Sequence, residues 1–106
     1  MKPKNLFSSL GSQGGPEVFD ELITTPGLRL ERIFSHGCPT PPGEWYDQDR
    51  AEWVVLLRGS AVLEWEDGAK CPLSEGDFLV IPPHQRHRVE SVSLDAVWLA
   101  LHYEDC

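Results

Sequence analysis

Apolar and polar residues along this chain alternate in short blocks, each closed by glycine, proline or aspartate. Leu28 to Ser35 reads Leu-Arg-Leu-Glu-Arg-Ile-Phe-Ser, a strand with partial alternation. Trp53 to Leu57 is apolar and bounded by Gly59, and Ser60 to Trp65 follows as a second strand. Arg58-Gly59 between them reads as a tight hairpin turn. Asp67-Gly68 is the strongest short turn signal, so Lys70 to Leu73 should return antiparallel. Ser74 to Asp77 turns again, and Phe78 to Ile81 is a strand stopped by Pro82-Pro83. His87 to Val92 and Ala96 to Tyr103 supply the last two strands. Upstream, Glu17 to Ile23 reads as a weak edge strand or a short turn of helix, followed by a turn at Thr24 to Gly27. Gly37 to Gly43 holds Pro39, Pro41 and Pro42, which makes it a stiff loop. No segment carries a convincing helical period. The pattern predicts an all-β, antiparallel sandwich or barrel around one core.

Composition narrows this picture. A chain of 106 residues is one domain, and 41% apolar residues with four Trp and four Phe can fill its interior. Residues 1-15 are polar and Gly/Ser-rich, an expected loose N-terminal segment before a domain at 16-106. The net charge of -8 repels phosphate backbones and anionic bilayers, so neither nucleic acid nor a membrane is an expected partner. No apolar run approaches the roughly 18 residues of a span, and no signal-peptide core is seen. Cys38, Cys71 and Cys106 are odd in number, far apart and without C-x-x-C spacing, which points to reduced thiols and a cytoplasmic location.

Two segments say more. Glu52 is followed by six residues and Gly59; Gly76 is followed by five residues and Pro82, with His87 five further on. This resembles the paired motifs of the cupin superfamily, small jelly-roll β-barrels. The family's first motif runs His-x-His, three or four residues, Glu, six residues, Gly. Its second runs Gly, five residues, Pro-x-Gly, two residues, His, three residues, Asn. Here His84 stands at the motif's Gly and Ser91 at its Asn, while Tyr46 and Gln48 occupy the two histidine positions of the first motif. The run Trp45-Tyr46-Asp47-Gln48 is similar to that of a subgroup of small bacterial cupins. The resemblance implies a single small jelly-roll barrel with its site inside the mouth, and commonly a homodimer.

On one regular strand Tyr46, Gln48 and Glu52 share parity and point inward, unless a bulge near Asp49-Arg50-Ala51 intervenes. His87 would face them from the second motif. The candidate metal set is Gln48, Glu52 and His87, with His102 as a second imidazole, for a weakly held divalent ion such as Fe, Mn, Zn or Ni. The same groups can form a metal-free polar network. The candidate catalytic residues are His87, Glu52 and Tyr46, as acid or base, orienter and proton donor. Tyr46, Trp98 and His102 are the pocket candidates. Trp45 joins Trp98 at the rim, whereas Trp53 and Trp65 should pack. His84 and His36 read as loop residues, and Arg86, Arg88, Glu64 and Glu66 as an outward face. The expected function is small-molecule binding in the barrel. The alternative is a metal-dependent or acid/base enzyme of oxygenase, isomerase or decarboxylase type acting on a small polar substrate.

Overall fold

The computed structural model describes residues 1–8 and 17–104. Eight strands follow in order: β1 (Val18–Thr25), β2 (Leu28–Phe34), β3 (Ala51–Arg58), β4 (Ala61–Trp65), β5 (Lys70–Leu73), β6 (Phe78–Ile81), β7 (His87–Val92) and β8 (Val97–Tyr103). They form a five-stranded sheet, β1-β2-β8-β3-β6, and a three-stranded sheet, β5-β4-β7. All described pairings are antiparallel. The all-β, antiparallel class expected from the turn spacing is what is found.

The two sheets share one core. Val54 and Leu56 of β3 and Trp98 and Ala100 of β8 meet Ala61 and Leu63 of β4 and Val89 of β7, with Leu73, Ile81 and Ala96 closing the cluster. Leu56 is wholly buried. A side chain of that size contributes about 1.5–3 kcal/mol by leaving water. Trp98 is also buried, and its indole N–H donates to Ser35 Oγ at 2.8 Å, so its one polar atom is satisfied.

Two expectations need correction. Arg58-Gly59 is not a hairpin turn, because β3 and β4 lie in different sheets; the chain crosses between sheets there. The crossing is tight. Gly59 has φ 88°, and a Cβ there would overlap Ser93 Oγ and stand 3.0 Å from Ala96 Cα, so only glycine fits. The second correction is that Tyr46, Gln48 and Glu52 do not share one regular strand. The segment from Thr40 to Gln48 runs beside β7: Thr40 N donates to Val89 O at 2.9 Å, Tyr46 N to His87 O at 2.7 Å, and His84 N to Gln48 O at 2.6 Å. Only after Arg50 does the chain join the five-stranded sheet as β3. A segment changing sheets cannot keep one pleat, so parity does not carry across residues 47–50.

Glu17 to Ile23, open between strand and helix in the sequence, falls mostly in β1, an edge strand with an irregularity between Glu21 and Ile23. On the outer face of β2, the Arg32 guanidinium is almost fully buried. It donates to Asp20 Oδ2 at 2.8 Å and to the carbonyls of Leu6 and Ser8 at 3.1 and 3.0 Å. These bonds lay residues 5–8 against the sheet. Residues 9–15 of the expected 1-15 segment, and Cys106, lie outside the described residues.

Candidate functional site

A cavity of about 70 Å³ opens between the sheets. That is room for a few waters or a few heavy atoms, well below a drug-sized pocket of roughly 300 Å³ or more. Its apolar wall comes from Ile33, Val54, Leu63, Ile81, Val89 and Trp98; its polar lining is Glu17, Glu31, Tyr46, Gln48, Glu52, His87 and His102. Every pocket and ligand candidate from the sequence except Trp45 therefore lines one cavity. Trp45 sits instead under the Arg86 guanidinium, 6.0 Å from its ring centroid.

His87 is buried at the start of β7, with its ring stacked on Tyr46 at 5.5 Å and tilted against Trp65 at 6.1 Å. Its Nδ1 lies 2.8 Å from the Gln85 carbonyl oxygen. A carbonyl only accepts, so Nδ1 carries the hydrogen and, in the neutral ring, Nε2 presents its lone pair. That Nε2 stands 3.8 Å from Glu52 Oε1, too far for a hydrogen bond. Glu52 is also buried, and its Oε1 accepts from Gln48 Nε2 at 3.1 Å. The mutual orientation of Glu52 and His87 thus leaves a gap between an acceptor nitrogen and a carboxylate.

Tyr46 donates to Glu17 Oε1 at 3.4 Å. Burial, followed by the charge of and hydrogen bond to Glu17, pushes the Tyr46 phenol up to about 12. It stays protonated across the physiological range, so it can give a hydrogen bond and does not serve as a base there. Burial also raises Glu17, partly offset by the Tyr46 hydrogen bond. A second pair lies next to Glu52 on the same sheet: His102, its cross-strand neighbour, has Nε2 2.9 Å from Glu31 Oε1, both groups buried, and His102 Nδ1 is buried without a hydrogen-bond partner among the described residues.

Glu17 and Glu31 were not singled out by sequence reasoning. In β2 the alternation misleads, because Leu28 and Leu30 suggest the inner face while Glu31 and Ile33 actually line the cavity. The outer face of this sheet is itself apolar, with Trp53 packed on the 63% exposed Phe78 at 5.7 Å. Glu17 lies just before β1, where no motif marks it.

The donors fit a resident metal poorly. Among the described residues no three His, Cys, Asp or Glu groups come together as a metal set. The Nε2 of His102 is engaged by Glu31, and Gln48 turns its amide nitrogen toward Glu52. Nitrogen of an amide carries hydrogens and is no ligand as placed. The peripheral candidates are paired away from the cavity: His84, at φ 62°, is hydrogen-bonded to Asp47 Oδ1 at 2.8 Å, Arg88 holds Glu64 at 2.9 Å, and Arg86 pairs with Glu66. His36 is half-buried beside Phe34, with ring centroids 6.3 Å apart.

The chain resembles known proteins over its whole length. A crystal structure from Ralstonia eutropha JMP134, provisionally named a mannose-6-phosphate isomerase, superposes with a TM-score of 0.91 at 40% identity, covering 99% of this chain and 100% of that one. A cupin superfamily protein from Desulfitobacterium hafniense shares the fold, with a TM-score of 0.80 at 18% identity over 98% and 92% of the two chains. Among curated proteins, a 3-hydroxyanthranilate 3,4-dioxygenase of Paraburkholderia phytofirmans is 34% identical over 68 residues, 61% of this chain and 39% of the relative. The chain thus spans well under two thirds of the length of the curated relatives it matches. No helix among the described residues is long and apolar enough to cross a membrane. The sequence model of the Cupin domain matches residues 34–102, and with the fold and the full-length relative in agreement the chain belongs to the cupin family.

Proposed function

We propose that this protein binds a small molecule in the cavity between its sheets, and that Glu52, His87 and Tyr46 form a proton-handling set around it. One observation carries the reading: His87 Nε2 and Glu52 Oε1 stand 3.8 Å apart with a wall of apolar side chains behind them. A buried imidazole and carboxylate held short of contact are both available to a third group. The Gln85 carbonyl keeps the His87 tautomer fixed, so Nε2 is the basic end. Gln48 holds the Glu52 carboxylate in place, and Tyr46 covers the His87 ring.

The acid/base alternative follows from the same geometry. His87 Nε2 takes a proton from a bound molecule, Glu52 balances the imidazolium, and the proton is returned at a neighbouring atom. The names of the relatives, an isomerase and a dioxygenase, keep catalysis in view without choosing the reaction. No step is routed through a metal, because the donors present do not converge on one. A stability screen against small polar compounds tests the reading, run on the parent and on a Glu52→Ala/His87→Ala variant. Compounds that stabilise the parent should fail on the variant; stabilisation that survives in the variant would place binding elsewhere and end the proposal.

Pairing of two copies completes the picture. Phe78 and Val80 of the edge strand β6 are 63% and 52% exposed beside Trp53, an apolar strip that a lone chain leaves in water. Light scattering after size exclusion should return twice the 11.9 kDa chain mass, and a monomer across micromolar concentrations would remove the homodimer.

A further inference from the structure

We infer that the ligand this cavity takes is a small aliphatic amine, bound as its ammonium cation, and not a phosphate or carboxylate. The inference rests on the cavity being the binding site and adds the chemistry of its occupant. Among the described residues three carboxylates line it, Glu17, Glu31 and Glu52, and no lysine or arginine does. Of the nearest guanidiniums, one compensates a cavity carboxylate and the other serves the outer face. Arg29 Nε lies 3.6 Å from Glu31 Oε2, and Arg32 is spent on Asp20 and the N-terminal carbonyls at the outer face.

The two imidazoles do not reverse this balance. His87 donates from Nδ1 to the Gln85 carbonyl, and His102 pairs with Glu31. Glu31 is already matched by Arg29 and His102, which leaves Glu52, beside the His87 Nε2 lone pair, as the carboxylate open to a ligand. An anion entering here would meet that carboxylate with no cation free of a carboxylate partner to receive it, in a setting where water screens poorly. An ammonium group meets acceptors. Glu52 uses one oxygen on Gln48 and retains further lone pairs, and the His87 Nε2 lone pair faces it 3.8 Å away.

A second, independent feature points the same way. His102 is 4% exposed and lines the cavity, yet its Nδ1 has no hydrogen-bond partner among the described residues. With Nε2–H directed to the Glu31 carboxylate, the unmatched Nδ1 is an acceptor that a donor on the ligand would satisfy. The remaining wall suits a short alkyl group: Val54, Leu63, Ile81 and Val89 are apolar, and the aromatic side chains of Tyr46 and Trp98 line it too. The volume of about 70 Å³ limits the alkyl part to a few carbons. The net charge of -8 draws cations toward the mouth. The two relatives named above carry anionic substrates in their names, mannose-6-phosphate and 3-hydroxyanthranilate, so this lining separates the chain from those activities.

The test is a nitrogen–proton NMR titration of the full chain with three matched probes: propylammonium, propionate and propanol. The expected result is saturable shifts at His87, His102 and Val54 with propylammonium, at an affinity about tenfold or more above propionate, the size of one charge contact. Glu52→Gln should reduce the amine affinity about tenfold and leave propanol unchanged; Glu17→Gln, at the mouth, should give a smaller loss in a chain whose fold the same spectra verify. Propionate or propanol binding tighter than the amine at those residues overturns the amine inference and leaves the binding cavity standing. Shifts confined to other surfaces, or none with any probe, overturn both.

Discussion

The cavity contains two histidine–carboxylate pairs built from the same two residue types and held in opposite conditions. Glu31 and His102 lie on neighbouring strands of one sheet, and their side chains close to 2.9 Å. Glu52 and His87 come from different sheets and stay 3.8 Å apart. Within a sheet, neighbouring strands sit about 4.8 Å apart, close enough for side chains on one face to meet. Facing sheets are about 10 Å apart, so groups on them meet only where side chains span the gap. The closed pair engages His102 Nε2 and the Glu31 carboxylate with each other and acts as scaffold, leaving only His102 Nδ1 unmatched. The open pair leaves capacity for something else. Chemical identity alone does not distinguish the open pair from the closed one; the distance between their supporting strands does.

The largest effect should come from breaking the closed pair. His102→Leu strands the buried Glu31 carboxylate and should cost about 3 kcal/mol in urea unfolding, the low end for a broken buried pair because Arg29 remains 3.6 Å away. Replacing both partners, Glu31→Leu/His102→Leu, should recover most of that loss. A single variant as stable as the parent would contradict the scaffold role. For the open pair the order of effects reverses. His87→Ala should cost only about 1–2 kcal/mol, from lost stacking on Tyr46 and Trp65 and the Gln85 hydrogen bond, while abolishing ligand-induced stabilisation. Stability loss equal to that of His102→Leu would erase the distinction.

A further check concerns metals. Because no three ligating groups converge among the described residues, elemental analysis of the purified protein should give iron, manganese, zinc and nickel well below one equivalent each. Stoichiometric metal lost in the Glu52→Ala/His87→Ala variant would show that the open pair closes around an ion. The smallest effect belongs to Glu17. Its carboxyl is raised by burial, so the folded state holds the proton more tightly than the unfolded chain. The resulting stability is present below the unfolded pKa and is lost as pH rises through the raised folded value. Glu17→Gln should therefore gain a little stability at neutral pH, under about 1 kcal/mol for a half-exposed group, and nothing in acid. Thermal unfolding at pH 4 and pH 7.5 measures it, and an equal shift at both values would refute it.

The sequence announced much of the architecture through its punctuation. Asp67-Gly68 marked the β4–β5 connection, and Pro82-Pro83 ended β6. It was less informative wherever the chain changes sheets. Arg58-Gly59 looks like a hairpin because local turn chemistry is the same whether the next strand pairs with the last or crosses to the opposite sheet. Residues 47–50 hide a second crossing, yet Tyr46, Gln48 and Glu52 reach one cavity despite the lost pleat. His87 and His102 were legible as pocket candidates from motif spacing and strand position. Glu31 was hidden because the outer face of its sheet is as apolar as the inner one, which removes the contrast that alternation depends on.

The position of β8 has a consequence for how the protein is made. This strand is the last of the eight, yet it lies between β2 and β3 and supplies Trp98 and His102 to the interior. On a ribosome, β2 emerges with nothing to pair on that side until about 70 further residues have been added, roughly 3–14 s at ordinary elongation rates. Neither the sheet nor the cavity can assemble during most of synthesis. A nascent chain stalled before Val97 therefore presents two open, apolar strand edges, which makes it a natural client for holding chaperones and a ready target for proteolysis.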